Sequence, residues 1–529
     1  MNRSFRHALL PAVVGIFVFL PIYGTYYLTH PYPSLGGGLF LMMGQEIVTN
    51  GFAIPPTVPY YTAGGIPLGY PPLMLTIAGG LVQLGFSPFV VARVMPGLLM
   101  VCALIAFGVA AKTVLESRFQ AAIAVIVFVT SPPVLEFTVT AGGTVRAAAM
   151  VLSCSGIYTA VRMYRTGNWT WIIATAALFG ATIQTHPLYT IFFGTNVAAL
   201  WLGTDRTLRG LAAGGTVAAG GVVLAAPWWL TIADVHGVEL FFTASSTHGG
   251  VGYFDWYRRL LKTSTVPASP WPVVSLVAAG VLVVRRRPAI PFWLVSVGFL
   301  TGRDEYLLVI GAMAIATAFT DELLPIVNGV SVPWERSLTR NRVAEWTGNR
   351  IRSVSGESQG ILTILALFCL FVGTAYGGAT AMNYVDGTQS DPALPMYVQG
   401  SDMKAAEWIK THTHQEASFV VIGDVAEWFP LISDRTSLIV PQGAEWNGQR
   451  TEQIELRSSI STCRTTVCLT NQLEAAELSP KYIYLSRAGY HDDAAAFRWQ
   501  SLGFSLETDQ SYSIVYENDN VIIAERISA

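Results

Sequence analysis

Two arginines frame the chemistry this chain offers. Arg146 follows Gly142-Gly143-Thr144-Val145 at the start of one apolar run, and Arg303 stands just before Asp304 and Glu305 at the start of another. A guanidinium suits phosphate because its planar fork donates two parallel hydrogen bonds. The alternative is a charge snorkelling from a helix end. Asp304 and Glu305 either orient Arg303 over an anion or form a plain ion-pair cluster with it. Glu136 lies between two apolar runs, where a desolvated carboxylate would have a raised pKa suited to proton transfer; the other reading is a helix-end residue near water. Glu46 is the one acid between residues 29 and 88, and is either a base or a solvated face residue. His186 precedes Pro187, where it binds phosphate, binds a metal or caps a turn. Asp234, His236, Glu239 and His248 are metal-capable, but their spacing matches no metal motif. Trp428 and Trp446 either stack on a sugar or fill a core.

The elements that must hold these residues follow from composition. The chain is 529 residues long, 52% hydrophobic and 12% charged, with a mean hydropathy of +0.45. Soluble domains carry about 25% charged residues, so this composition points to lipid. Apolar runs lie near 8–28, 71–86, 89–111, 120–135, 146–163, 170–185, 189–203, 211–232, 271–284, 289–302, 305–320 and 359–381. The first is too long for a cleaved signal peptide and reads as an uncleaved first helix. The run 71–86 opens with Pro71-Pro72 and is short for a span. If it lies in the interface, the loops holding Lys112 and Arg118, Arg162 and Arg165, Arg206 and Arg209, Arg285-Arg286-Arg287 and the 336–352 stretch all fall inside, as Lys and Arg prefer. If it crosses, every one of them flips outside, against Arg3 and Arg6. The first arrangement gives about eleven spans, with the N-terminus inside and the C-terminal domain outside. It places a long loop, 29–88, on the outer face, with two interfacial helices at 38–50 and 71–86. The 253–259 stretch reads as an interfacial aromatic and basic belt. The sequon Asn168-Trp169-Thr170 falls inside and is expected to stay unmodified.

The organisation expected is a membrane domain over 1–384, with a cytoplasmic linker at 321–358, and an extracytoplasmic α/β domain over 385–529. From Asp386 on, acids outnumber Lys plus Arg about two to one. A helix capped by Ser401-Asp402 is expected there, with strands at 418–422, 436–440 and 481–485, helices at 471–478 and 493–501, and a hairpin of 512–516 with 521–524. Cys102, Cys154 and Cys369 sit in apolar runs as packing residues. Cys463 and Cys468 would pair if the domain faces an oxidising compartment. No basic domain suggests nucleic-acid binding, and no internal repeat suggests a transporter.

One family resemblance gathers these features. An N-in helix, a long outer loop with two interfacial helices, Tyr70-Pro71-Pro72-Leu73 at the entry to the second, and Arg93 in the next helix together resemble the GT-C superfamily. Thr185-His186-Pro187-Leu188, Gly142-Gly143-Thr144-Val145-Arg146 and Arg303-Asp304-Glu305-Tyr306 resemble it too, as do Glu427-Trp428-Phe429-Pro430 and Gln442-Gly443-Ala444-Glu445-Trp446 in the C-terminal part. The resemblance implies a polytopic α-helical membrane protein with a C-terminal soluble α/β domain. It implies transfer of a sugar from a polyprenyl-phosphate donor to a glycan, lipid or protein acceptor outside the cytoplasmic membrane. Arg146, Arg303, His186, Asp304 and Glu305 would bind substrate, and Glu136 or Glu46 would act as base. The resemblance leaves the cofactor open, a divalent metal being one that such sites can hold. Members usually carry an Asp at the start of the first interfacial helix; here that position falls at Gly37 and Gly38. A non-catalytic member that binds the lipid carrier or partner proteins is therefore the alternative.

Overall fold

The computed structural model describes residues 3–32, 36–140, 142–246, 271–323, 398–487 and 495–527. His248, the 253–259 belt, nearly all of the 321–358 linker, Cys369 and the apolar run 359–381 lie outside the described residues.

The apolar runs among the described residues are helices. They are α1 (Arg3–Thr29), α2 (Gly38–Thr49), α3 (Leu73–Gln83), α4 (Pro88–Leu115), α5 (Arg118–Val129), α6 (Pro132–Leu135), α7 (Gly143–Thr166), α8 (Trp169–Ile183), α9 (Pro187–Thr204), α10 (Leu208–Leu224), α11 (Ala226–His236), α12 (Glu239–Ser246), α13 (Trp271–Val284), α14 (Ala289–Thr301) and α15 (Asp304–Ala318). Among the described residues, α1 from Leu9, α4 and α7 are each long and apolar enough to cross a membrane. Two bent pairs, α5 with Pro132–Thr140 and α10 with α11, raise the number to five if each is one span. The Asn168 side chain caps α8, accepting from the Thr170 N–H at 3.0 Å, which gives the sequon asparagine a structural job.

The two short helices expected in the first loop form. Asn50 caps α2, and Gly51 follows at φ +66°. The helices α2 and α3 cross at bare backbone. A Cβ on Gly44 would stand 2.3 Å from the Leu75 carbonyl, and one on Gly79 would stand 2.2 Å from that of Gly44.

The C-terminal part is a five-stranded mixed sheet in the order β4-β3-β5-β7-β6, with β3 (Ser418–Ile422), β4 (Thr436–Ser437), β5 (Tyr482–Ser486), β6 (Tyr512–Glu517) and β7 (Val521–Arg526). The two-residue β1 (Thr57–Val58) and β2 (Ile66–Pro67) pair in the first loop. Strand β3 runs parallel to β4 and β5, and β7 runs antiparallel to β5 and β6. The expected strand over 436–440 is only two residues long; farther on, the Val440 N–H donates to the Gln453 side chain at 3.0 Å, and the first loop pairs with Ser437 on the outer edge. Ser437 N–H donates to the Tyr60 carbonyl at 2.9 Å, and Thr62 N–H donates to that of Ser437 at 2.9 Å. An exposed strand edge is thereby closed. The helix Gly400–His412 begins about two residues earlier than the expected Ser401-Asp402 cap: Gln399 is its cap, and the Asp402 carboxylate reaches back to the Gln399 N–H at 2.8 Å. Burial pushes Asp402 up to about 6. Cys463 and Cys468 are disulfide-bonded.

One core joins the two halves. Leu39, Met42, Tyr61 and Tyr70 of the first loop pack with Val398, Phe419, Trp428 and Tyr484 of the C-terminal part. The sheet is therefore docked on the first loop rather than tethered beside it. Trp428 is wholly buried and stacks on Phe89 of α4 at 5.4 Å. Burying one side chain of this size is worth on the order of 3 kcal/mol.

Candidate functional site

The site starts at the break between α5 and α7. Pro132 and Pro133 lack N–H donors and interrupt the helix, which turns by 68°. A short π-helix, Glu136–Thr140, follows; such bulges are frequent at functional sites. Gly142, left-handed at φ +66°, then opens α7, with Arg146 in its first turn. The Arg146 guanidinium lies 4.9 Å from the centre of the Phe137 ring. From α15 the Arg303 guanidinium lies 5.9 Å from the same ring. The two arginines named from sequence thus converge on one aromatic ring.

Glu305 belongs to the same group. It is 4% exposed, and the Arg303 and Arg146 charges both act on its carboxylate. Its Oε2 has no hydrogen-bond partner among the described residues. The Tyr189 hydroxyl, also buried, has none either. Tyr189 meets Tyr306 edge-on at 4.6 Å and His186 at 5.2 Å. His186 in turn meets Tyr70 at 6.1 Å. The backbone fixes this corner, since Leu73 N–H, ending the Tyr-Pro-Pro-Leu entry, donates to the Gln184 carbonyl at 2.9 Å. Tyr70 also packs on Phe40 at 4.8 Å and on Trp446 at 6.2 Å. Burial pushes its phenol up, Arg146 pulls it down, and Glu445 pushes it up again. A carboxylate of the C-terminal domain therefore stands near this wall.

Among the residues expected from sequence, Arg146, Arg303, His186 and Glu305 come together, with Asp304 at the same helix start. Glu136 is exposed and adjoins Phe137. Glu46 does not join them. It lines a separate groove with Gln45, Tyr60, Gln83, Lys410 and Asp434, and burial raises its pKa. Asp234 and His236 end α11 while Glu239 opens α12. Trp428 and Trp446 are both core residues, at 0% and 5% exposure. Arg93 faces α1, where it donates to the Tyr27 carbonyl and lies over the Tyr27 ring at 4.1 Å. Among the described residues no three His, Cys, Asp or Glu side chains gather closely enough to hold a metal. The arginine-rich setting also suits an anion better than a divalent cation.

Sequence reasoning missed Glu427 as a contact of the first loop. Its Oε2 accepts the Gly36 N–H at 3.0 Å and its Oε1 accepts the Leu39 N–H at 2.8 Å. A carboxylate thus reaches the start of α2 from the far end of the chain. A Cβ on Gly37 would meet Trp428 at 2.5 Å, and one on Gly38 would meet its Cα at 2.9 Å. The glycines there are a steric requirement of the dock. The adjacent pair Glu427-Trp428 was the available signal, but nothing local ties it to residue 37.

By sequence alone no protein-family model and no curated protein matches the chain. Its structure is similar to that of ArnT from Cupriavidus metallidurans bound to undecaprenyl phosphate, with a TM-score of 0.50 and 14% identity over 98% of both chains. It is similar to the Archaeoglobus fulgidus oligosaccharyltransferase tethered with an acceptor peptide, with a TM-score of 0.53 and 11% identity over 99% of this chain and 74% of that one. It is also similar to a variant of the arabinofuranosyltransferase AftD from mycobacteria, with a TM-score of 0.52 and 13% identity over 99% of this chain and 42% of that one. These likenesses show the fold alone: a GT-C-like, mostly helical architecture carrying a C-terminal sheet region.

Proposed function

We propose that this chain is a membrane glycosyltransferase that moves a sugar from a polyprenyl-phosphate donor to a glycan, lipid or protein acceptor. The observation that carries the reading is the convergence of Arg146 and Arg303 on Phe137, beside the buried Glu305. Two guanidinia of fixed charge offer paired donors to a phosphate. Phe137 holds both in place by cation–π attraction, worth about 0.5–2 kcal/mol each. The unpartnered Oε2 of Glu305 and the Tyr189 hydroxyl would receive hydroxyl groups of the sugar. Glu136, one residue from Phe137, would take the proton of the acceptor hydroxyl; Glu46, in its own groove, is the weaker choice. The undecaprenyl phosphate on ArnT and the acceptor peptide on the archaeal enzyme are the ligand classes this reading borrows.

The same reading puts the site on the outer face of the cytoplasmic membrane, with about eleven spans, the N-terminus inside and residues 385–529 outside. The disulfide supports that side, since disulfides persist in oxidising compartments. A second reading, a carrier-binding protein without turnover, is favoured by one observation: the carboxylate at the start of α2 is sealed against backbone and cannot act as a base.

Mass spectrometry of surface glycans in a deletion strain separates the two. Loss of one sugar, restored by wild type but not by Arg146→Ala or Glu136→Ala, supports the transferase. An unchanged glycan profile, with purified protein still binding undecaprenyl phosphate, supports the second reading.

A further inference from the structure

Glu427 takes no part in the proposed reaction, yet its carboxylate is fully buried. Burying a charge is costly unless it is hydrogen-bonded. Here the bonds are backbone N–H groups of the first loop: Gly36, Leu39 and, with them, Gly38. The first N–H groups of a helix have no partner within it, and no side chain of the loop itself caps α2. The Tyr61 hydroxyl fixes the acid from the other side, donating to the Glu427 carbonyl at 2.8 Å. Arg457 is the cation whose charge acts on the carboxylate, and it is paired with Asp424 at 3.6 Å.

The first turn of α2 is also a wall of the arginine site. Phe40 packs on Tyr70 and lies where a side chain on Gly142 would stand, its Cε2 2.9 Å from that position. Gly142 starts the helix that carries Arg146. An unbroken line of contact therefore runs from Glu427 through residues 36–40 to Gly142 and Tyr70.

We infer that Glu427 is a positioning residue: this acid of the C-terminal domain holds the first turn of α2 in register and through it sets the wall against which Arg146 binds its ligand. The inference rests on the reading of the Arg146–Arg303 site as a phosphate site. It makes the docked C-terminal domain a working part of that site.

The test uses the full-length protein in detergent, with undecaprenyl phosphate as the probe and amide exchange as a second readout. Glu427→Ala is expected to weaken binding by about tenfold or more, because the N–H groups of Gly36, Gly38 and Leu39 lose their acceptor. It is also expected to speed exchange at residues 36–39 while β3 and β5 keep their protection. Glu427→Gln, which keeps one acceptor oxygen, is expected to recover part of both losses, and Glu427→Leu neither. Equal recovery by Leu and Gln would reduce Glu427 to a space-filler and overturn the inference, as would an Ala variant unchanged in both readouts. Should the Ala and Leu variants not fold, Gly38→Ala strains the same contact with the acid intact and is expected to give the same pair of losses; no change in either readout overturns the inference. If wild type does not bind undecaprenyl phosphate, the reading of the arginine site fails. Exchange at residues 36–39 then still decides whether Glu427 holds α2.

Discussion

Glu305 and Glu427 are both buried glutamates, 4% and 0% exposed, and they have opposite surroundings. Glu427 faces backbone N–H groups that use both of its oxygens. Glu305 faces two guanidinia and keeps one oxygen without a partner among the described residues. Proteins satisfy almost all buried polar atoms, so an acid left open beside two cations marks a place for a ligand. A closed acid marks a joint. Burial alone would have ranked the two alike; the partner of each oxygen separates them.

The largest expected effect falls on the open side. Replacing Arg146 and Arg303 together by Ala removes two charge-assisted contacts, and undecaprenyl phosphate binding is expected to weaken about 100-fold or more, measured by thermophoresis of the purified protein. Glu305→Gln sharpens the point by splitting the ligand. Binding of sugar-free undecaprenyl phosphate is expected to hold or tighten, since a negative charge leaves the site. Affinity for the sugar-bearing donor is expected to fall by about tenfold, the worth of one hydrogen bond to a charged acceptor. Equal loss for both ligands would move Glu305 from sugar contact to arginine support.

On the closed side the prediction is a pH dependence. Burial pushes Glu427 up to about 7 from an ordinary 4.5, against the pull of its backbone hydrogen bonds. A raised acid stabilises the fold while protonated. That contribution is full below pH 4.5 and is lost as pH rises through about 7. Wild type is thus expected to lose thermal stability relative to Glu427→Gln between pH 4.5 and 7, with a level difference above. Comparison with the Gln variant cancels Asp402, which burial also raises, to about 6. The smallest effect on carrier binding is expected at the disulfide. Cys463→Ser opens a bridge spanning five residues and is expected to cost about 2 kcal/mol in thermal stability while leaving carrier binding unchanged.

The parts of this fold legible in sequence are those that depend on local pattern. Apolar runs gave the helices, Asn50-Gly51 gave the end of α2, and β-branched runs gave β3, β5 and the β6–β7 hairpin. Arg146, Arg303, Glu305 and His186 were legible because each stands at the end of an apolar run, where a charge needs a reason. Their convergence on Phe137 was not, since it depends on how α7 and α15 pack. Glu427 was missed for the same reason at greater range. Its partners are residues 36–39, and the glycines there look like flexibility until Trp428 is seen filling the space. The outer edge of β4 is completed by loop residues 60–62, a pairing no window of sequence contains.

The central claim is that a carrier phosphate sits between Arg146 and Arg303 over Phe137. A cryo-electron microscopy map of the full chain with undecaprenyl phosphate tests it directly. The account predicts phosphate density within hydrogen-bonding reach of both guanidinia, with α2 still bonded to Glu427. Density in the groove lined by Glu46 and Lys410, with the arginine site unchanged, would contradict it.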